Sequence, residues 1–302
     1  MKGRYRIIKK MEKISVIMSA YNESTEEIKQ SINSILNQTY TNFEIIFVND
    51  NPQNKEINRA IDTVKDERLI VLNNNQNMGL VYSLNKALKY ASGDFIARMD
   101  ADDISVQDRF EKQINFIKKY DYDLVGGWIK KIDDDGKVIS DVIKWQWKYE
   151  NIKKVIRFEN QLAHPTFLGK KKVFEELNGY RDILYCEDYD FIVRAINNGI
   201  IVGNCPELCL YYRVRKNSIS NSNIVFQILN AEYIANDKSV VIFKQDFKNK
   251  VFTKNYIKNM GYIKKYNEYI NRHDVQKLKI LNKYFVYKVL KKIIKEIMLH
   301  TI

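Results

Sequence analysis

The sequence predicts an α/β fold, in which a mostly parallel central sheet carries helices on both faces and a helical appendage follows. Over the first hundred residues, short apolar runs rich in β-branched residues alternate with segments of helical period. This alternation is typical of a parallel sheet covered by helices. From residue 221 onward only helical patterns occur. We therefore predict a main domain at 1–220 and a basic helical region at 221–302.

The elements follow from local patterns taken in chain order. Ser24 and Glu27 have the spacing of a capping box, which predicts that a helix starts there. Further helices are predicted at 79–91, 105–120, 171–178 and 187–198. Strands are predicted at 14–20, 43–49, 68–73, 93–100, 123–129, 137–143, 200–204 and 207–213. Ligands of such sheets bind beyond the carboxyl ends of the strands, so residues just after each strand are the candidates for function.

The charge of the chain is unevenly distributed. The 302 residues carry a net charge of +13, and residues 221–302 hold 16 Lys and Arg against 6 Asp and Glu. Within this region, 277–299 combines an apolar stripe of helical period with a face of lysines. The stripe predicts packing on the domain or on another copy of the chain, as in a homo-oligomer. The charge predicts an anionic partner surface.

Cysteine usage and the lack of a leader predict a cytoplasmic protein. Cys186, Cys205 and Cys209 are odd in number and form no Cys-x-x-Cys pair, which predicts reduced thiols and neither a disulfide framework nor a zinc site. The basic start is followed by a short strand-like run and not by the long apolar region of a signal peptide. No run approaches 18 apolar residues, the length of a membrane-spanning helix.

The segment RMDADDIS is the strongest candidate for chemistry. Asp100, Asp102 and Asp103 follow a predicted strand, and three carboxylates in four residues repel one another unless a positive charge lies among them. Carboxylate oxygens suit Mg²⁺ or Mn²⁺, which complete their coordination with substrate phosphates. The alternative is a solvated acidic turn in which Asp103 caps the next helix. The position at the end of a strand favours the metal.

Two further acidic positions have both a functional and a structural interpretation. Asp50 ends a predicted strand, where a carboxylate can accept hydrogen bonds from a base or a ribose, or can simply start a turn. Glu187 and Asp188 lie where a helix begins, so that they can cap the helix or take a proton from a hydroxyl. His164 is interpreted as a packed structural histidine, and the lysines at 170–172 as the solvated start of a helix.

Taken together and in this order, these segments resemble the family-2 glycosyltransferases, an inverting family with the GT-A fold. The resemblance spans roughly residues 13–220, and the enzymes that build bacterial capsule, O-antigen and lipo-oligosaccharide (lipopolysaccharide) chains are most similar. The motifs that carry it are VIMSAYNE, NDN, NMGLVYSLNKAL, GDFIARMDADD, HPTFLGKKKVFEELNGYRD with CEDYDFIVRA, and YRVRKNSIS.

The resemblance implies a role for each matching residue. Tyr21 would flank the nucleotide base, Asp50 would bind the uracil or ribose, and Asp100 would lie near the ribose and diphosphate. Asp102 would bind a divalent metal, Mn²⁺ or Mg²⁺. Asp188 would be the catalytic base, with Glu187 beside it.

Three positions depart from the family pattern. Ser19 stands where proline is usual, and Asn49 replaces the first acid of the usual pair while the second, Asp50, is kept. Arg215 stands where many members carry a histidine. A histidine ligand to the metal is therefore in doubt, and the arginine could pair with the diphosphate of the nucleotide-sugar instead.

The resemblance implies transfer of one sugar from a UDP-sugar to a glycan or lipid-linked oligosaccharide, with inversion of the anomeric carbon. A processive synthase is less favoured, because the chain lacks a Q-x-x-R-W motif and membrane helices. Two other classes were weighed. A sugar-phosphate nucleotidyltransferase would open with a glycine-rich loop, and a nucleic-acid-binding protein would show a recognised binding motif. Neither feature is present. The basic region at 221–302 predicts a peripheral location on the anionic inner face of the cell membrane.

Overall fold

A computed structural model describes residues 11–156, 159–183 and 185–215, together with residues 231 and 234. The predicted helical region at 221–302, including the 277–299 stripe, lies outside the described residues apart from those two positions. The same holds for the last part of the YRVRKNSIS motif. No helix among the described residues is long and apolar enough to cross a bilayer.

A mixed, mostly parallel sheet forms the centre of the molecule. Its eight strands lie in the order β3-β2-β1-β4-β7-β6-β8-β5. The pairs β1–β2, β1–β4, β2–β3 and β6–β8 are parallel, whereas β7 runs antiparallel to β4 and β6, and β5 runs antiparallel to β8. The strands are β1 (Ile14–Ala20), β2 (Phe43–Asn49), β3 (Leu69–Asn73), β4 (Phe95–Arg98), β5 (Ile104–Ser105), β6 (Leu124–Ile132), β7 (Leu168–Lys170) and β8 (Val202–Arg213).

Helices cover both faces of this sheet, as the sequence predicts. They are α1 (Thr25–Leu36), α2 (Lys55–Thr63), α3 (Leu80–Tyr90), α4 (Arg109–Tyr120), α5 (Tyr149–Val155), α6 (Lys171–Glu176) and α7 (Glu187–Asn197), with a 3-10 turn at His164–Thr166. The capping box of α1 is present: Glu27 N–H donates to the Ser24 hydroxyl at 3.3 Å, and Ser24 N–H donates to the Glu27 carboxylate at 2.8 Å.

The core is divided into two layers by the sheet. On β1, Val16 and Met18 pack in one layer with the apolar face of α1, whereas the intervening Ile17 packs in the other layer with α3. Successive side chains of a strand point to opposite faces, so a strand buried on both sides must be apolar along its length. This explains why β1 and β2 appear in the sequence as uninterrupted apolar runs.

Several boundaries differ from the sequence-based prediction. The two strands predicted at 200–204 and 207–213 form one strand, β8, because a bulge opposite Gly127 and Trp128 accommodates Pro206, which cannot donate a ladder hydrogen bond. Helix α4 begins at Arg109 and not at 105, since Ile104–Ser105 pairs with β8. The strand predicted at 137–143 is reduced to isolated bridges at Val138 and Ile143. Helices α2 and α5 were not predicted.

Candidate active site

The carboxyl ends of three neighbouring strands bring the predicted residues to one edge of the sheet. The N–H of Asp50, just after β2, donates to the carbonyl of Ala20 at the end of β1, at 2.9 Å. The N–H of Met99, just after β4, donates to the carbonyl of Ile17 at 3.2 Å. Parallel pairing therefore places Tyr21, Asp50 and the acidic segment beside one another, as the strand positions predict.

The three aspartates after β4 form one cluster. Asp100, Asp102 and Asp103 each offer a carboxylate oxygen, and these oxygens lie within 4.8 Å of one another. The turn is held from two sides: the Ser31 hydroxyl on α1 donates to the Asp100 carbonyl at 2.8 Å, and Ile104 pairs with Tyr211 on β8. The alternative in which Asp103 caps the next helix is wrong, because the residue that precedes α4 is Asp108.

Arginines from β4 and β8 contact this cluster. Arg98 forms an ion pair with Asp100. The N–H of Arg213 donates to Asp103 Oδ1 at 2.8 Å, while its guanidinium donates to the Asp102 carbonyl at 2.8 Å. Arg215 lies 3.2 Å from the Asp102 carboxylate and 2.8 Å from Glu27, which places this predicted binding residue at the cluster.

These arginines leave the cluster short of positive charge. Burial and the neighbouring charge of Asp100 raise the pKa of Asp102 to about 7. Burial and the charge of Asp102 raise the pKa of Asp103 well above its usual range, and Asp103 Oδ2 is buried without a hydrogen-bond partner. A crowded set of carboxylate oxygens with an unpartnered buried oxygen fits a divalent cation of the Mg²⁺ or Mn²⁺ type.

Asp50 is more enclosed than the sequence predicts. Its carboxylate is 2% exposed and accepts hydrogen bonds from Asn74 Nδ2 at 2.7 Å, from Met78 N at 2.7 Å and from Gly79 N at 2.8 Å. These bonds join the end of β2 to the loop before α3. A carboxylate has about four acceptor positions, so little capacity remains for a ligand. Tyr21, by contrast, is 40% exposed beside it.

The second acidic pair, Glu187 and Asp188, lies in the first turn of α7. Burial and the adjacent Asp188 raise the pKa of Glu187 to about 8. Burial also raises the pKa of Asp188, although the backbone N–H of Tyr189, the charge of Arg98 and the side chain of Asn160 oppose the rise. Asn160 Nδ2 donates to Asp188 Oδ2 at 2.9 Å. The pair therefore consists of two half-buried carboxyl groups with raised pKa values at a helix N-terminus, which suits them to exchange a proton.

Arg98 acts electrostatically on both acidic groups. Its side chain is 3% exposed, and besides pairing with Asp100 it favours the ionised forms of Glu187 and Asp188. Its Nε and Nη1 atoms are buried without a hydrogen-bond partner. No local pattern predicts this role, because an arginine at a strand end gives no sign that its guanidinium is buried and acts on two acidic groups.

An ion-pair network fixes the helix that carries the pair. Asp190 is fully buried and accepts from Arg194 Nε at 2.8 Å and from Arg181 Nε at 3.0 Å. Arg194 also donates to the carbonyls of Leu177 at 2.7 Å and Gly179 at 2.9 Å. The first turn of α7 is thereby attached to the 177–181 turn.

The sequence favours a structural role for His164 and for the lysines at 170–172. His164 is buried, packs on Phe167 and Tyr180, and has a pKa lowered well below its usual range by burial and by the charge of Arg98. It is thus a core residue, as predicted. The lysines at 170–172 begin α6, and Lys170 pairs with Asp123 at 2.9 Å. The three cysteines are buried, and none of them forms a disulfide bond.

Comparison with known proteins extends the assignment. The model of the family "Glycosyl transferase family 2" matches residues 15–177. The O-antigen biosynthesis glycosyltransferase WbnJ of Escherichia coli is 34% identical over 223 residues, which are 72% of this chain and 85% of that protein. The UDP-Glc:alpha-D-GlcNAc-diphosphoundecaprenol beta-1,3-glucosyltransferase WfgD of Escherichia coli is 30% identical over 214 residues, covering 69% of this chain and 80% of that protein.

A solved structure supports the same fold. Mannosyltransferase PcManGT of Pyrobaculum calidifontis, in complex with GDP-Man and Mn²⁺, superposes with a TM-score of 0.59 at 17% identity, over 78% of this chain and 67% of that one. The fold and the site therefore define a glycosyltransferase of the GT-A type. The chain belongs to glycosyl transferase family 2. This membership favours glycosyl transfer over the nucleotidyltransferase and nucleic-acid-binding alternatives.

Proposed function

We propose that the protein moves a single hexose or N-acetylhexosamine from a UDP-sugar to a hydroxyl of a cell-surface glycan precursor, with inversion at the anomeric carbon. One observation carries the proposal. Arg98 forms an ion pair with the aspartate cluster after β4, and its charge also acts on the Glu187–Asp188 pair on α7, so the two carboxylate groups belong to one electrostatic site. The first suits a leaving diphosphate, and the second suits an attacking hydroxyl.

The aspartate cluster forms the donor side of the proposed site. Asp102, together with Asp100 and Asp103, would hold Mn²⁺ or Mg²⁺, which when bound neutralises the charge that develops on the leaving diphosphate. Arg215, already beside Asp102, offers a second positive group to the diphosphate. The Mn²⁺ in PcManGT supports the choice of metal.

The nucleotide would occupy the ends of β1 and β2. Tyr21 is exposed there and can stack on a base. Asp50 has little acceptor capacity left, so its main contribution is to hold the loop at Met78 and Gly79 in place beside the nucleotide. Any direct hydrogen bond from uracil or ribose would use its remaining acceptor position.

Asp188 would act as the base on the acceptor side. It takes the proton of the acceptor hydroxyl while the hydroxyl oxygen attacks the anomeric carbon and the diphosphate departs from the opposite side. One displacement of this kind converts an α-linked donor into a β-linked product. Glu187 lies beside the base, and the charge of Asp188 contributes to the raised pKa of Glu187. The name of WfgD, which specifies UDP-Glc, a lipid-linked acceptor and a β-linkage, supports this scheme.

A panel of UDP-sugars tests the proposal. The purified protein should release UDP from at least one of them, faster with Mn²⁺ than without it, and excess EDTA should abolish the release. Because hydrolysis in the absence of acceptor is slow, release should rise when a diphospholipid-linked N-acetylhexosamine is added. Failure of every donor to bind or react in the presence of Mn²⁺ would contradict the proposal.

We also propose that residues 221–302 form a separate basic region that attaches the enzyme to the inner face of the cell membrane. The support is the charge of this segment, 16 Lys and Arg against 6 Asp and Glu. Each basic residue close to anionic lipid contributes about 1 kcal/mol. The protein should sediment with anionic vesicles, be released by high salt and ignore neutral vesicles. Equal binding to both kinds of vesicle would contradict the electrostatic attachment.

A further inference from the structure

The side chain of Asn160 contacts the proposed base directly. Its Nδ2 donates to Asp188 Oδ2 at 2.9 Å, and both residues are partly or fully enclosed. A catalytic base is commonly oriented by a third group that hydrogen-bonds to it. Asn160 belongs to none of the motifs that relate this chain to its family.

A second hydrogen bond fixes which way this amide points. Asn160 Oδ1 accepts from the N–H of Leu162, two residues later, at 3.1 Å. With the oxygen engaged there, the NH₂ group is the part of the amide that faces Asp188. The reverse orientation would set the oxygen against a carboxylate and the NH₂ group against an N–H, so both contacts specify the same arrangement.

The backbone around Asn160 is anchored to the central sheet. Asn204 on β8 is fully buried, and its Nδ2 donates to the carbonyl of Gln161 at 2.8 Å. Leu162 is 2% exposed and belongs to the core layer that also contains the buried face of α7. The backbone that carries the Asn160 amide is therefore held in place by the fold.

The groups that face Asp188 make this single amide important. The negative charge of Asp188 raises the pKa of three nearby groups and does not stabilise any of them in its ionised form. These groups are Glu187, the Cys186 thiol and Tyr180. Arg98 on β4 is the facing group of opposite charge among these. The neutral N–H donor of Asn160 on one carboxylate oxygen adds to the backbone N–H of Tyr189 in stabilising the ionised form of Asp188.

We propose that Asn160 is a positioning residue that orients the Asp188 carboxylate toward the acceptor hydroxyl and keeps it ready to accept a proton. This inference rests on the proposed function of Asp188 as the base. The isosteric change Asn160→Asp is the sharpest probe, because it keeps the acceptor for Leu162 N–H, removes the donor and adds a like charge. Asn160→Gln keeps a donor, and Asn160→Ala removes the whole group.

The experiment compares sugar transfer across pH for the wild type and these three variants. Asn151→Ala is the matched control, since Asn151 is equally half-buried and donates to Gln146 at 3.1 Å, away from the base. We expect Asn160→Ala to lower kcat at neutral pH about tenfold and to move the acid limb of the profile up by about one pH unit. Asn160→Asp should lose more, Asn160→Gln should recover part of the activity, and Asn151→Ala should match the wild type.

Separate measurements distinguish this inference from the proposed function. Calorimetric UDP binding in the presence of Mn²⁺ should be unchanged in all four variants, which also shows that they fold. If Asp188→Asn abolishes transfer but Asn160→Asp keeps a wild-type pH profile and kcat, the positioning role is wrong while the function stands. If Asp188→Asn transfers sugar normally, the assignment of the base fails, and the role of Asn160 fails with it.

Discussion

The two acidic groups of the site are built in opposite ways. After β4, three carboxylates are packed within 4.8 Å of one another and remain short of positive charge despite the nearby arginines. On α7, two carboxylates lie at a helix N-terminus. One of them accepts a hydrogen bond from the Asn160 amide, and the charge of Arg98 also favours its ionised form. The first arrangement is suited to gaining a cation, and the second to exchanging a proton. Under the proposed function, this difference would let carboxylates serve both the leaving diphosphate and the attacking hydroxyl.

The largest effect should come from the donor side. Asp102→Ala removes a carboxylate from the cluster, so transfer should fall a thousandfold or more as charge stabilisation of several kcal/mol is lost. Mn²⁺-dependent UDP binding should weaken at the same time. Asp108→Ala, which removes an aspartate a few residues away without a capping hydrogen bond, is the control and should stay active. Normal turnover by folded Asp102→Ala would remove the cluster from the mechanism.

The acceptor side should respond differently to loss of its carboxylate. Asp188→Asn keeps the shape of the side chain but cannot take the hydroxyl proton, so transfer should fall roughly a hundred- to a thousandfold. UDP binding measured by calorimetry should stay near the wild-type value, unlike that of Asp102→Ala. If Asp188→Asn lost UDP binding while its rate of sugar transfer was kept, the donor and acceptor sides would be assigned in reverse.

The pH dependence of transfer should reflect the acceptor side. Burial and the charge of Asp188 raise the pKa of Glu187 to about 8, and burial also raises the pKa of Asp188. A raised pKa means that the pair holds a proton at pH values where an ordinary carboxyl is ionised, so the base is lost as the pH falls. Activity should drop about tenfold per unit below neutral pH. A flat profile down to pH 5 would show that the base titrates as an exposed carboxyl does.

The smallest effect on chemistry, and the clearest on stability, is expected at Asp190. Asp190→Ala leaves Arg194 beside the core without its buried partner and should lower the free energy of unfolding by about 3 kcal/mol. Arg181→Ala should cost less, because Arg181 is largely solvated. Thermal melting of the two variants measures the difference. If Asp190→Ala and Arg181→Ala melted at the same temperature, the buried ion-pair network would not be what stabilises α7.

Much of the donor side could be predicted from the sequence, and the reason is local. Strands β1 and β2 were located to the residue, because strands buried on both faces are continuous apolar runs. Asp50 and the aspartate cluster follow such strands directly, and parallel strands end at one edge. Strand β8 was divided in two because Pro206 interrupts its pattern, whereas the structure absorbs that residue in a bulge.

The supporting contacts of the acceptor side could not be predicted, because they join distant positions. Asn160 contacts Asp188 across 28 residues of sequence, and the charge of Arg98 on β4 acts on Asp188 only because the fold brings these distant positions together. Asp50 shows the same limit: the sequence suggested a ligand contact, while the loop at Met78 and Gly79 occupies most of its acceptor positions. Local patterns identified the carboxylates, but only the fold shows what surrounds them.

The anomeric configuration of the product tests the central claim most directly. If the aspartate cluster serves the leaving diphosphate and Asp188 activates the hydroxyl on the opposite side, one displacement occurs, and an α-linked UDP-sugar must give a β-linked product. Proton NMR of the product formed from the donor that the UDP-sugar panel identifies will show the anomeric coupling constant. The account predicts a β-linkage from the first turnover onward, and an α-linked product would contradict it.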